Sequence, residues 1–138
     1  MRPLLVFALY LSFGLSGCDR SKPECAAPAT PGLEGTWKLV ERQCYCPRST
    51  PTPNETLTLT ATAYSIYTNG QLSENGTYIS QAVTLCGSPG PALGLRFTHT
   101  TLNIGPRDAM PTLKGDTLVL DYGSPCDAPR DTYQRVVP

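Results

Sequence analysis

The sequence predicts an all-β domain of about eight short antiparallel strands, arranged as an up-and-down barrel or a sandwich. Three observations lead there. From Leu33 onward, apolar residues alternate with polar ones at a period of two, the spacing of half-buried strands. Turn pairs such as Asn69-Gly70 separate the alternating runs, and Asn-Gly between such runs is a strong hairpin signal. No stretch beyond the first eighteen residues carries helical spacing over about ten residues. Composition agrees. Charged residues make up 16% of the chain, against about 25% in an average soluble protein. Thr, Ser, Pro and Gly take their place, as in turn-rich β proteins.

Each predicted strand follows from its own pattern. Trp37, Leu39 and Glu41 fall on one face of the first, and Leu57 and Leu59 are separated by threonines in the second. Tyr64 and Ile66 lead into the Asn69-Gly70 turn, and Asn75-Gly76 is expected to turn the chain into GTYIS. Val83 and Leu85 predict a short strand, and Leu93, Leu95 and Phe97 a longer one. Leu102 and Ile104 suggest another. Leu118, Leu120 and Tyr122 follow a turn at Gly115-Asp116, and a last strand spans Thr132 to Val137.

The start of the chain reads as an address. Arg2 precedes an apolar run from Leu4 to Leu15, and small residues Ser16 and Gly17 lead to Cys18, the layout of a secretory signal peptide. The run is too short for a convincing membrane span. Leu15-Ser16-Gly17-Cys18 resembles the bacterial lipobox. That resemblance implies a diacylglycerol on the Cys18 sulfur, cleavage just before it, and stable anchoring by two or three acyl chains. The expected divisions are a signal peptide at 1–17, a lipidated cysteine with a flexible Pro-rich tether at 18–32, and one β domain at 33–138. The protein is therefore expected in the bacterial cell envelope. Asp19 favours inner-membrane retention in enterobacteria, but other phyla do not follow that rule, and the outer membrane is the expectation here.

Leu33-Glu-Gly-Thr-Trp-Lys-Leu-Val-Glu41 resembles the opening strand of the lipocalin-like families, which carry Gly-x-Trp near the barrel floor. The segment KGDTLVLDYG is similar to the penultimate strand of small bacterial lipocalin-like lipoproteins. The resemblance implies structural roles for Gly35 and Trp37, with Arg135 on the last strand packing over the tryptophan. It also implies a barrel rather than a sandwich. The chain stops soon after the last strand, without the helix found in larger lipocalins, and its shortness leaves open whether the barrel is hollow.

Cys25, Cys44, Cys46, Cys86 and Cys126 remain once Cys18 is set aside, and an exported chain meets oxidising conditions. In a closed barrel the loop before the last strand sits where the first strand exits. With Val83–Leu85 as a separate strand, Cys86 reaches the same rim. Two bridges are therefore expected to join Cys44 and Cys46 to Cys86 and Cys126, in either order, leaving Cys25 over. The competing reading makes Cys44 and Cys46 two thiolates for a soft metal such as Cu(I), or a redox sensor.

Some functions find no support. Eleven basic residues balance eleven acidic ones, so nothing marks a nucleic-acid surface. Motifs for nucleophilic, zinc-dependent or phosphate-binding enzymes are missing, and the single histidine, His99, lies in a strand pattern. Asp127 and Asp131 read as residues of a solvated turn, and Asn54 and Asn75 as turn residues rather than glycosylation sites. No cofactor and no enzymatic activity are expected. The leading expectation is a membrane-tethered module holding a small apolar ligand at its disulfide-pinned rim or inside the barrel, the latter among Trp37, Leu39, Leu57, Leu59, Ile66, Leu95, Phe97 and Tyr122. The alternative is a solid β scaffold that binds or inhibits another envelope protein through Pro-rich loops bearing residues such as Tyr45.

Overall fold

The computed structural model describes residues 32–47, 50–100 and 104–137. These form a closed antiparallel barrel in which eight strands neighbour one another in chain order and the last pairs with the first. The strands are β1 (Gly35–Gln43), β2 (Glu55–Leu59), β3 (Ala63–Thr68), β4 (Gln71–Val83), β5 (Ala92–His99), β6 (Arg107–Lys114), β7 (Thr117–Asp121) and β8 (Arg130–Arg135). A single 3-10 turn, Ser124–Cys126, lies between β7 and β8. The signal peptide, the tether through residue 31, Cys18, Cys25 and Leu102 lie outside the described residues.

Because every strand reverses the last, the connections alternate between two ends. One end, the mouth, carries the β1–β2, β3–β4, β5–β6 and β7–β8 connections; the other is the floor. At the mouth, Asn69 and Gly70 both have positive φ, 53° and 81°, as a two-residue hairpin turn of matching twist requires.

Several strands differ from their sequence expectation. Asn75-Gly76 is no turn but the middle of β4, where Gly76 pairs with Tyr64 on one side and His99 on the other. A Cβ at Gly76 would stand 2.0 Å from the Thr98 carbonyl oxygen, so the glycine serves close strand approach. Since β4 runs unbroken to Val83, there is no separate Val83–Leu85 strand, and Leu85 lies in the following loop. Ile104 is in a bend and more than half exposed, while the next strand is Arg107–Lys114. That strand contains Pro111, which removes a ladder donor. It is tolerated because β5 pairs with β6 only from Arg107 to Ala109, leaving Pro111 on an open edge. The short seam is reinforced by Arg96, which donates from Nε and Nη2 to the two carboxylate oxygens of Asp108, at 2.7 Å each. The last strand starts at Arg130, earlier than expected, and so includes Asp131.

The lower barrel is filled. Trp37, Leu39, Leu57, Leu59, Tyr64, Tyr78, Leu95, Phe97, Leu118, Leu120 and Tyr133 form one buried cluster with Leu33 and Ala109. Burying each large side chain contributes roughly 1.5–3 kcal/mol. At the floor the Trp37 indole N–H donates to the Leu33 carbonyl at 2.9 Å. Arg135 lies over the Trp37 ring, 4.1 Å from its centroid, and donates to the carbonyls of Glu34 (2.8 Å) and Gly32 (2.7 Å). Gly35, with φ 139°, leaves room for that guanidinium, since a Cβ there would meet Arg135 Nη1 at 2.6 Å.

All four expected cysteines are oxidised, but the pairing corrects the expectation. The bridges are Cys44–Cys46 and Cys86–Cys126. The reason is the path of the β4–β5 connection. An unbroken β4 sends the Cys86 connection out from the floor end, away from the β1 exit. That loop instead leans against β6 and β7, where Leu85 and Cys86 share a small recess with Met110, Asp121 and Pro125. Gly87 packs so closely on Pro125 that a Cβ would lie 2.6 Å from it. Cys86 therefore meets Cys126, and Cys44 is left to bond its near neighbour.

Candidate functional site

Strand periodicity decides what faces the mouth. Period two continues the inward stripe of β2 from Leu59 and Leu57 to Glu55, and that of β8 from Tyr133 to Asp131. In β1 the register slips between Leu39 and Glu41, placing a bulge at Val40. The slip turns Glu41 outward and brings Arg42 into line with Asp131 of β8. The expectation that Glu41 shares the Trp37 face is thereby corrected. Glu74 of β4, Arg107 of β6 and Tyr122, just past β7, join the same level and line one cavity with them. Above a filled apolar core, the barrel is thus capped by a layer of charges and phenols.

The layer is held by two carboxylate-centred networks. In the first, Arg42 donates from Nε and Nη2 to Asp131, at 2.7 Å each, and from Nη2 to Glu55 at 3.1 Å. Tyr133 donates its hydroxyl to Glu55 Oε1 at 3.1 Å. Asp131 and Glu55 are 2% and 7% exposed, so the assumption of a solvated acidic turn fails for Asp131. The hydrogen bond to Asp131 outweighs the cost of burial and pushes the Arg42 guanidinium above its ordinary pKa. Burial pushes the Tyr133 phenol well up, keeping it a donor.

In the second network Glu74 Oε1 accepts from the Tyr64 hydroxyl at 2.8 Å and from Arg107 Nη2 at 3.2 Å. The imidazole of His99, fully buried, places Nδ1 2.9 Å from the same oxygen and 2.7 Å from the Tyr64 hydroxyl. Burial, then the bond to Glu74, raises the Tyr64 phenol. Arg107 stacks over the Tyr122 ring, 4.7 Å from its centroid, and among the described residues its buried Nε–H meets no acceptor. Burial raises the Tyr122 phenol too.

Arg42, Glu55, Glu74, Arg107, Tyr122, Asp131 and Tyr133 line a cavity of about 390 Å³ together with Cys44, Cys46, Ile66, Ser73 and Pro129. Two guanidinium groups, Arg42 and Arg107, face three carboxylates, Glu55, Glu74 and Asp131, within it. These charges pair with one another, while Ile66, Tyr122, Pro129 and the bonded Cys44 and Cys46 supply the rest of the wall. Of the eight residues expected to line an apolar cavity, Ile66 and Tyr122 do line this one. Trp37, Leu39, Leu57, Leu59, Leu95 and Phe97 belong to the filled core below it. The sequence reading missed Arg42, Glu55, Glu74, Arg107, Asp131 and Tyr133. Period two alone would have placed Glu55 with Leu57, and Asp131 with Tyr133. Among the described residues, no group of three or more His, Cys, Asp or Glu is placed to hold a metal ion, and Cys44 and Cys46 are bonded to each other.

The chain matches no known protein family, no curated protein and no solved structure.

Proposed function

We propose that this chain is a lipid-anchored envelope lipoprotein whose lipocalin-like barrel binds a small polar ligand at its mouth. The observation that carries the binding reading is the cavity of about 390 Å³, lined by five charged side chains above a filled apolar core. Small β-barrels offer room for one small ligand at most, and here that room is at the charged end. With three carboxylates against two guanidinium groups, the favoured ligand carries a cationic or N–H-rich group. The Leu15-Ser16-Gly17-Cys18 motif supports the anchor, which would hold such a binding module at the membrane surface.

Native mass spectrometry of the mature chain, purified from membranes without reductant, tests both parts. The expected result is an acylated mass with a small polar adduct that is lost in Glu55→Gln. An unacylated Cys18 would overturn the anchor, and an apolar adduct would overturn the polar-ligand reading.

A second reading is favoured by one observation. Tyr45, between the paired cysteines, is 89% exposed. An aromatic side chain displayed this way on a solid barrel suits a contact with another envelope protein. Tyr45→Ala would then abolish partner capture while leaving the mouth cavity intact.

A further inference from the structure

The two disulfides differ in what they constrain. Cys86–Cys126 closes a separation of 40 residues and ties the β4–β5 connection to the β7–β8 connection. Cys44–Cys46 closes a separation of 2, within a single stretch leaving β1. No two elements are joined by it. The pairing of β1 with β2 begins at Lys38 and Thr56 and that of β1 with β8 ends at Gln43, so every ladder is complete without it. Both cysteines line the mouth cavity, and Cys46 is exposed to solvent. Cys44 also lines a second recess, of about 270 Å³, with Tyr45, Ser124 and Asp127. A bond that crosslinks nothing, yet stands open to small molecules on two sides, has little to do as a staple.

We infer that Cys44–Cys46 is a thiol–disulfide exchange site, reduced by thiols that reach the mouth while the barrel stays folded. The chemistry balances as two displacements. A thiolate attacks Sγ of Cys46, the more exposed residue of the two; the Cys44–Cys46 bond breaks, a mixed disulfide forms at Cys46, and Cys44 leaves as a thiolate that takes a proton from water. A second thiolate attacks the donor sulfur of the mixed disulfide, releasing Cys46 as a thiolate. Two thiols are oxidised to one disulfide, and two electrons reside on the Cys44 and Cys46 thiols. Reduction frees the segment after Gln43, which forms part of the cavity wall, so the redox state of the pair sets the shape of the mouth. This inference does not depend on what the cavity holds.

The test uses the mature chain in detergent, equilibrated in graded ratios of reduced to oxidised glutathione. Free thiols are then blocked with iodoacetamide and each cysteine is assigned by peptide mapping. A parallel series uses reduced thioredoxin as a protein dithiol. The expected result is that Cys44 and Cys46 become alkylated at a reductant ratio about tenfold or more below that needed for Cys86 and Cys126. The far-ultraviolet signal of the strands should be unchanged at that point, and Cys44→Ser should trap glutathione on Cys46. Selective reduction by glutathione identifies a small thiol as donor, whereas selective reduction by thioredoxin alone identifies a protein dithiol; either supports the site. Reduction of both bridges together, loss of strand signal at the first reduction, or no glutathione on Cys46 would overturn it.

Discussion

Arg42 and Asp131 face each other across the seam where the last strand meets the first, joined by two hydrogen bonds of 2.7 Å. The pair exists because a bulge at Val40 reverses the facing of β1 above Leu39. It closes the barrel with charges at the mouth, where Trp37 and Arg135 close it at the floor. Removing one partner leaves the others buried without compensation. Arg42→Met is expected to lower unfolding free energy by about 3–5 kcal/mol in urea titrations. Adding Glu55→Gln and Asp131→Asn should restore much of that loss. A single-variant cost below about 1 kcal/mol would mean that these charges are hydrated.

The two bridges should separate in stability. On the chain-entropy account, closing a separation of 40 residues contributes about 4 kcal/mol and closing a separation of 2 about 1.5 kcal/mol. Cys86→Ser with Cys126→Ser is therefore expected to depress the melting temperature well beyond Cys44→Ser with Cys46→Ser. Equal depressions in calorimetry would contradict the division of roles between them.

Alkaline pH should unfold the barrel. Burial raises the phenols of Tyr64, Tyr78, Tyr122 and Tyr133 above their ordinary value of 10.0. A raised pKa means that the folded state holds the proton more tightly than the unfolded chain. The resulting stability is fully present below about pH 10 and is lost as pH rises through the folded values. Phenolate absorbance from these four residues should appear together with loss of strand circular dichroism. Their ionisation with the fold intact would contradict the burial described.

Gly76 is expected to be intolerant of any side chain. A methyl group there would press on the Thr98 carbonyl at 2.0 Å, and backbone has little room to retreat. Gly76→Ala should cost about 3 kcal/mol, measured by chemical denaturation. Gly70→Ala, with open space around it, should cost less, and mainly through its positive φ.

The legibility of this chain follows its periodicity. Strands with apolar residues at alternate positions, such as Leu57 with Leu59 and Leu118 with Leu120, were readable because burial and period agree. Strand β6 was not, because its inward positions are Arg107, Ala109, Pro111 and Leu113, only some of them conventional core residues. Asn75-Gly76 reads as a turn on local chemistry alone, and only the approach of β5 explains it. The site was hidden for a related reason. Polar residues at strand ends resemble loop, so Asp131 reads as solvated and Glu55 carries no signal of its own. The slip at Val40 that brings Arg42 inward leaves no local mark. Cysteine pairing depends on the β4–β5 connection packing back against β6 and β7, and neither β6 nor the unbroken β4 shows in the local pattern.

The most direct measurement is nuclear magnetic resonance of the labelled, non-reduced chain, observing the Trp37 indole N–H at the floor and the Nε–H groups of Arg42 and Arg107 at the mouth. Two additions are compared: a polar low-molecular-weight extract of the host envelope, and palmitate. The account predicts that the extract shifts the two arginine signals while the indole signal stays still, and that palmitate moves neither. A shift of the Trp37 indole with palmitate would contradict it, because the filled core would then have opened to an apolar guest.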